Sequence, residues 1–434
     1  MSRWYTVLMT LQLSGFAVVS FWPGYLGIEG RMVTVPYRAV LLLVCIWCCL
    51  LALRRGLPRH ANSPVSLAIF GLWLTYSIRG CWQLVMHPWV SIERGMPETW
   101  EFAFYLFLCT IPAFVSAYVV DDLRIYRPAL KYVLLLGIAG CLMSVQYHWV
   151  DLKTYSTDSR MQGNDLLGPI QFGHLGVTTA VLGIFALVRG GKKFRSMYRL
   201  IAIVAVPLGV GTVLMAASRA PLIALVVLAP LTIFFASYGR GLKLTSWAIV
   251  LSAGAIFAVP LLVQQVMSRG VDLYTYFGSV EAFTSSESSL NRAQLMRDAW
   301  HAFEAHPFLG AGLFETYLHT YPHNVVLEAF MATGVFGGTM MICLVVVSIF
   351  KAFQLMHNLP DMSWIPILYL QYLIHLMVSG CLYFDPTAFA LMGAVLAAAP
   401  LAPKQLLPGR LASLRLRPLG ENILRSKGCP QTAG

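Results

Sequence analysis

The chain has 434 residues, of which 58% are hydrophobic and only 12% charged, and its mean hydropathy is +0.68. A soluble domain carries roughly 25% charged residues, so a cytosolic enzyme, a secreted disulfide scaffold and a disordered chain are excluded. Thirty-one Lys and Arg stand against nineteen Asp and Glu, a net charge of +12. In a membrane chain that surplus reports sidedness, not a nucleic-acid partner.

Twelve apolar runs follow in chain order: 5–22, 37–53, 64–79, 100–120, 129–148, 169–188, 200–217, 220–238, 245–265, 324–350, 363–384 and 386–402. A helix needs about 20 such residues to cross a bilayer; the third and last runs are short. Period-two alternation, which a barrel needs, is absent. Run 5–22 has no small-residue cleavage site and is followed by further runs, so it reads as a first helix, not a signal peptide. Placing the N-terminus inside puts 21 of the 31 Lys and Arg on the cytoplasmic side, as the charge rule requires. The expectation is an all-α polytopic integral membrane protein of about twelve transmembrane helices, N-in and C-in. Residues 1–265 form the first nine, 266–322 a large outer loop with a helical region, 323–402 the last three. Residues 403–434 form a basic cytoplasmic tail along the inner leaflet. Cys45, Cys48 and Cys49 resemble a thiol cluster, but inside a span packing is the better reading. No outer loop offers a disulfide pair.

The chemistry gathers on the outer face. Two connections there are long, 149–168 and 266–322. Within the second, 289–306 reads as a helix, with Met296, Trp300 and Phe303 at helical spacing and Pro307 ending it. Asn291 with Gln294 reads as a cap and its partner, which would put Arg292 in the first turn, beside free amides. Taken alone, Arg292 is more often a solvated surface charge. Arg219 lies in Ser218-Arg219-Ala220-Pro221, a tight turn between two apolar runs, where Ser218 is a capping residue and Pro221 fits the first turn. An anion site and a snorkelling anchor fit Arg219 equally. Arg160 precedes the sixth run, with Gly163 and Asn164 marking a turn. His323 follows Pro322 at the membrane lip, where burial favours its neutral form; an interfacial His bonding a carbonyl is the plainer alternative. His174 and His375 lie inside runs and read as polar glue between helices. Glu328, five residues into the tenth run, is a candidate to orient a neighbour. No Asp-x-Asp, metal-ligand spacing, Walker loop or dinucleotide fingerprint occurs. The pattern therefore favours metal-free, cofactor-free chemistry on a lipid-linked anion.

Three stretches together resemble the O-antigen ligase family, within the wider group of O-antigen ligases and polymerases. They are Ser218-Arg219-Ala220-Pro221-Leu222; Asn291-Arg292 through Trp300 to His306-Pro307-Phe308-Leu309-Gly310-Ala311-Gly312; and His323-Asn324-Val325-Val326-Leu327 with Gly334 six residues on. Arg160 with Gly163 is similar to the family's Arg turn. The motif-bearing region runs from about 155 to 340; the earlier spans match only in hydropathy. Ala332 stands where many relatives carry an acid, which leaves Glu328 or Asn324 to orient His323. The resemblance implies a GT-C-like integral-membrane glycosyltransferase in the inner membrane of a Gram-negative cell, its site facing the periplasm. The donor it implies is O-antigen on undecaprenyl pyrophosphate, and the acceptor a hydroxyl of the lipid A–core oligosaccharide. Arg160, Arg219 and Arg292 would bind the pyrophosphate, and His323 would take the acceptor's proton; no metal or cofactor is implied. The alternatives are a polymerase using the same donor, a protein O-glycosylating ligase, disfavoured by the short tail, and a flippase, disfavoured by spans nearly free of charge.

Overall fold

The computed structural model describes residues 2–21, 30–54, 56, 63–86, 99–120, 122–147, 167–189, 196–216, 218–238, 287–314 and 321–398. Several sequence expectations lie outside them: the run 245–265, most of the long connections 149–168 and 266–322, the tail 403–434, and Arg160 with its turn. Every regular element of the described residues is helical. The order is α1 (Ser2–Leu13), α2 (Gly15–Phe21), α3 (Gly30–Leu53), α4 (Pro64–Met86), α5 (Thr99–Tyr105), α6 (Ile111–Tyr118), α7 (Ala129–Tyr147), α8 (Pro169–Arg189), α9 (Ser196–Ala216), α10 (Arg219–Ser237), α11 (Glu287–Ala305), α12 (Val325–Asn358), α13 (Trp364–Val378) and α14 (Pro386–Ala397). A π-helical turn, Leu106–Thr110, joins α5 to α6.

Six of these helices are long and apolar enough to cross a membrane. They are α3, α7, α8, α9, α10 and α12; α5–α6, α13 and α14 are shorter apolar helices. The all-helical, multi-pass expectation therefore holds. The first run is broken at Ser14, whose hydroxyl donates to the Thr10 carbonyl and competes with the helix ladder.

Among the long apolar helices α8 is the most enclosed. It packs against α9, α10, α7 and α13. Glycine lets α8 and α9 touch backbone to backbone: a Cβ on Gly176 would stand 2.6 Å from the Gly209 carbonyl. Small residues at helix crossings do this where lipid supplies no hydrophobic drive. Buried polar side chains tie the same interior. Gln371 on α13 donates to the His174 carbonyl at 3.0 Å and to Thr178 at 2.9 Å. The rings of His174 and His375 meet edge-on at 4.8 Å. Both histidines join helices, as their positions in apolar runs imply. Cys45 and Cys48 are buried free thiols and Cys49 is a half-buried one, each accounted for by packing.

Three boundaries differ from the hydropathy reading, each for a physical reason. α4 runs past Arg79 to Met86; polar side chains end an apolar window without ending a helix, since Arg and Gln are good helix formers. α12 continues eight residues beyond 350. Lys351 donates to the Leu396 carbonyl there, and the helix stops just before Pro360, where the residue preceding a proline disfavours helical geometry. α13 ends at Val378, short of 384, because residues 379–385 turn across the rim on partners supplied by side chains.

Candidate functional site

Two helices and two turns build the rim at the start of α12. α11 extends from Glu287, so position 291 lies within the helix and does not cap it. Arg292 is then in the second turn, and the expected first-turn anion site is not formed there. α11 buries Leu295 and Ala299, and Phe303 packs on Phe330 of α12 at 5.1 Å.

After α11 the chain turns through His306–Gly312 and locks into α12. The Ala311 amide donates to the Met331 carbonyl at 2.8 Å, and the Val335 amide to the Pro307 carbonyl at 2.7 Å. This needs a break in α12, which occurs at Gly334 (φ 69°, ψ −160°), a region open almost only to glycine. A Cβ there would collide with the Phe308 carbonyl, and one on Gly310 with the backbone of Ala332. The two Gly-bearing motifs are therefore one interlocked unit. Ala332 is wholly buried behind Gly310.

Asn324 caps α12, its Oδ1 accepting from the amides of Val326 and Leu327 at 3.1 Å each. Its Nδ2 donates to the Met377 carbonyl at 3.1 Å, which staples α12 to the end of α13. Glu328, fully buried, accepts from the Tyr76 hydroxyl at 2.6 Å and from the Leu382 amide at 2.9 Å. These partners come from α4 and from the 379–385 turn, so any orienting effect of Glu328 on His323 passes through that turn. Two more groups pin the same turn. Thr110, in the π turn, donates to the Tyr383 carbonyl at 2.6 Å. Asp385 accepts from the Cys381 amide at 2.8 Å and lies 3.2 Å from His375.

His323 sits above this platform. Its φ of 57° places it in the left-handed region, the only positive φ outside glycine among the described residues. Its ring meets Tyr321 edge-on at 4.5 Å, and Nδ1 lies 3.4 Å from the Ser379 carbonyl. The carbonyl contact expected of an interfacial His is thus present, at the long end of hydrogen-bonding range. Burial lowers its pKa to about 4, and the nearby Arg292 guanidinium adds to the lowering. A neutral ring that donates from Nδ1 to Ser379 keeps Nε2 as a proton acceptor. Burial also pushes the Tyr321 hydroxyl well up, against a smaller opposing pull from Arg292. The Arg292 charge therefore acts on both groups.

Arg219 is the first residue of α10. Ser218 holds the extended N-cap geometry, yet its hydroxyl makes no capping bond. Pro221 packs on α8, 2.6 Å from where a Cβ on Gly173 would stand. That fixes the Arg219 end of α10 beside His174, one residue on. The structure gives no contact between Arg219 and His323. The partners of Glu328 and the support of His323 were not legible from sequence, since Tyr76, Thr110 and Ser379 belong to no local pattern with them. Among the described residues no group of His, Cys, Asp and Glu side chains is placed to hold a metal ion.

The family model described as O-antigen ligase matches residues 204–342. That segment contains Arg219, Arg292, the interlocked glycines, His323 and Glu328. The resemblance read from the motifs is thus shown over that part of the chain. No curated protein matches the sequence.

Proposed function

We propose that this chain, carrying an O-antigen ligase segment in an all-helical membrane fold, is an O-antigen ligase. It transfers O-antigen polysaccharide from undecaprenyl pyrophosphate to a hydroxyl of the lipid A–core oligosaccharide, at the periplasmic face of the inner membrane. The observation that carries this reading is that the matched family segment holds His323, neutral and half-buried, on a rim locked by Gly310 and Gly334.

The acceptor oxygen attacks the anomeric carbon, the bond from that carbon to the pyrophosphate oxygen breaks, and undecaprenyl pyrophosphate leaves. His323 takes the hydroxyl proton at Nε2. Direct displacement inverts the anomeric carbon. Arg219, Arg292 and Arg160 meet the pyrophosphate charge through forked, charge-assisted hydrogen bonds, so the scheme is metal-independent. Burial, with the Arg292 charge adding to it, makes His323 a weak base. Bound pyrophosphate offsets the Arg292 part of that lowering and raises the His323 pKa, while the larger effect of burial remains. The base then strengthens only when donor is present, which guards the proton acceptor against idle chemistry.

The test is a lipopolysaccharide gel from a strain lacking the protein, together with its lipid-linked O-antigen pool. Long O-antigen held on undecaprenyl pyrophosphate, with bare lipid A–core, is the expected result. Core carrying single repeat units instead would make the chain a polymerase, which shares the donor and differs in the acceptor. Transfer by the purified protein should also survive EDTA; loss restored by magnesium would overturn the metal-free scheme.

A further inference from the structure

A fourth arginine faces the motif unit from a helix outside the matched segment. α4 presents Tyr76, Arg79 and Gln83 on one stripe, three and four residues apart. Tyr76 holds Glu328, and Gln83 accepts from the Leu313 amide at 2.9 Å. Arg79 lies between these two anchors. Its Nη2 is 3.7 Å from the position a Cβ would take on Gly312, and the Gln83 Oε1 is 3.5 Å from the same point. So the Arg79 guanidinium reaches the Gly312 turn, where the Phe314 carbonyl oxygen also lies 3.6 Å from the same point.

Its electrostatics are unbalanced. The residue is half-buried, its Nε is fully buried, and that atom has no hydrogen-bond partner among the described residues. Nor does any carboxylate among them pair with it. A buried guanidinium nitrogen left without a partner is costly, and its planar fork fits a phosphate or carboxylate better than any other ligand. Tyr76 and Gln83 bond to Glu328 and the Leu313 amide, and neither meets the Arg79 Nε.

We propose that Arg79, at the Gly312 turn, forms an anion subsite that binds a phosphate group of the substrate pair. This rests on the ligase reading above. The phosphate comes either from the polyprenyl pyrophosphate donor or from a phosphorylated sugar on the acceptor glycolipid. In both cases the subsite adds to Arg219 and Arg292 a contact from α4, which the family motifs do not contain.

Binding to the detergent-solubilised full chain separates these cases, using farnesyl pyrophosphate, phosphorylated lipid A and inorganic pyrophosphate as probes. Arg79→Gln should weaken one of the two lipids about tenfold or more, the worth of one charge-assisted bond, and the lipid affected identifies the source. Arg79→Lys keeps the charge without the fork and should fall between, with an unchanged melting temperature; it carries the test if Arg79→Gln does not fold. Wild-type affinity for all three probes in Arg79→Lys and Arg79→Gln, with loss in Arg219→Gln, would overturn the subsite alone. A wild-type chain that binds neither lipid, yet binds inorganic pyrophosphate through Arg79, would keep the subsite and sink the donor reading. Binding of none of the three would overturn both.

Discussion

α12 is two helices in one, and its halves obey different rules. The stretch from Asn324 to Gly334 is held by groups distant in sequence: Met377, Tyr76, Leu382 and the 307–311 turn. Beyond Gly334 the helix presents Phe336, Ile342, Val346, Phe350 and Phe353 outward, as a lipid-facing span does. Its polar contacts there are few, chiefly Ser348 with Tyr369 and Lys351 with the Leu396 carbonyl. The first half spends backbone and carboxylate groups on fixing a geometry; the second needs only to be apolar and helical. Chemistry that depends on position is therefore confined to about ten residues of a 34-residue helix.

The largest way to break this contrast is at the joint. Gly334→Ala meets both the Phe308 carbonyl and a backbone region reserved for glycine, and should cost about 3 kcal/mol or more. A thermal melt should show it, with transfer lost. Gly211→Ala in α9 has open space around it and should leave melting unchanged or raise it slightly.

Next in size is His323→Asn. Asn tolerates the left-handed backbone, so the fold should hold while transfer falls by about 10²–10⁴. An unaltered rate would remove the proton-accepting role. Titration sharpens the same point. With its pKa lowered to about 4, His323 is neutral above that value and protonates only as pH drops through it. The acid limb of kcat/KM should therefore fall near pH 4. The limb of kcat should lie higher, because bound donor offsets Arg292. Equal limbs would argue against the coupling.

Glu328→Gln should be milder. The amide offers only one acceptor oxygen, so either the Tyr76 or the Leu382 contact is lost. A fall in kcat of about tenfold with KM little changed corresponds to the loss of one buried hydrogen bond. The smallest effect is expected in the lipid-facing half. Ser348→Ala removes hydrogen bonds to Tyr369 and Val345, and should cost about 1 kcal/mol of stability with transfer intact.

The all-helical, multi-pass character was readable because about 20 apolar residues are a physical requirement for crossing a bilayer. The interior roles of His174 and His375 followed from their place in such runs. Gly334 could be picked out by spacing, but not its reversed φ or its collision partner Phe308, which are properties of the packed pair. The start of α11 was misread because Asn291 mimics a cap when only neighbours three residues away are considered. Arg79 was passed over as the end of an apolar window, since nothing in α4 itself announces the turn at Gly312. Whatever depended on two distant segments meeting was invisible in one dimension.

The interlock between residues 307–311 and 331–335 closes a loop of fewer than thirty residues. Closing so short a loop costs little chain entropy, so this unit can form as soon as α12 has been made. The support beneath His323 cannot. Met377, Ser379, Leu382 and Asp385 are synthesised later, and they reach the rim only once α13 and α14 are in place. In biosynthetic order the scaffold of the site comes first and its proton acceptor is set last. A chain cut short after α12 would therefore carry every motif of the family segment and still be inert.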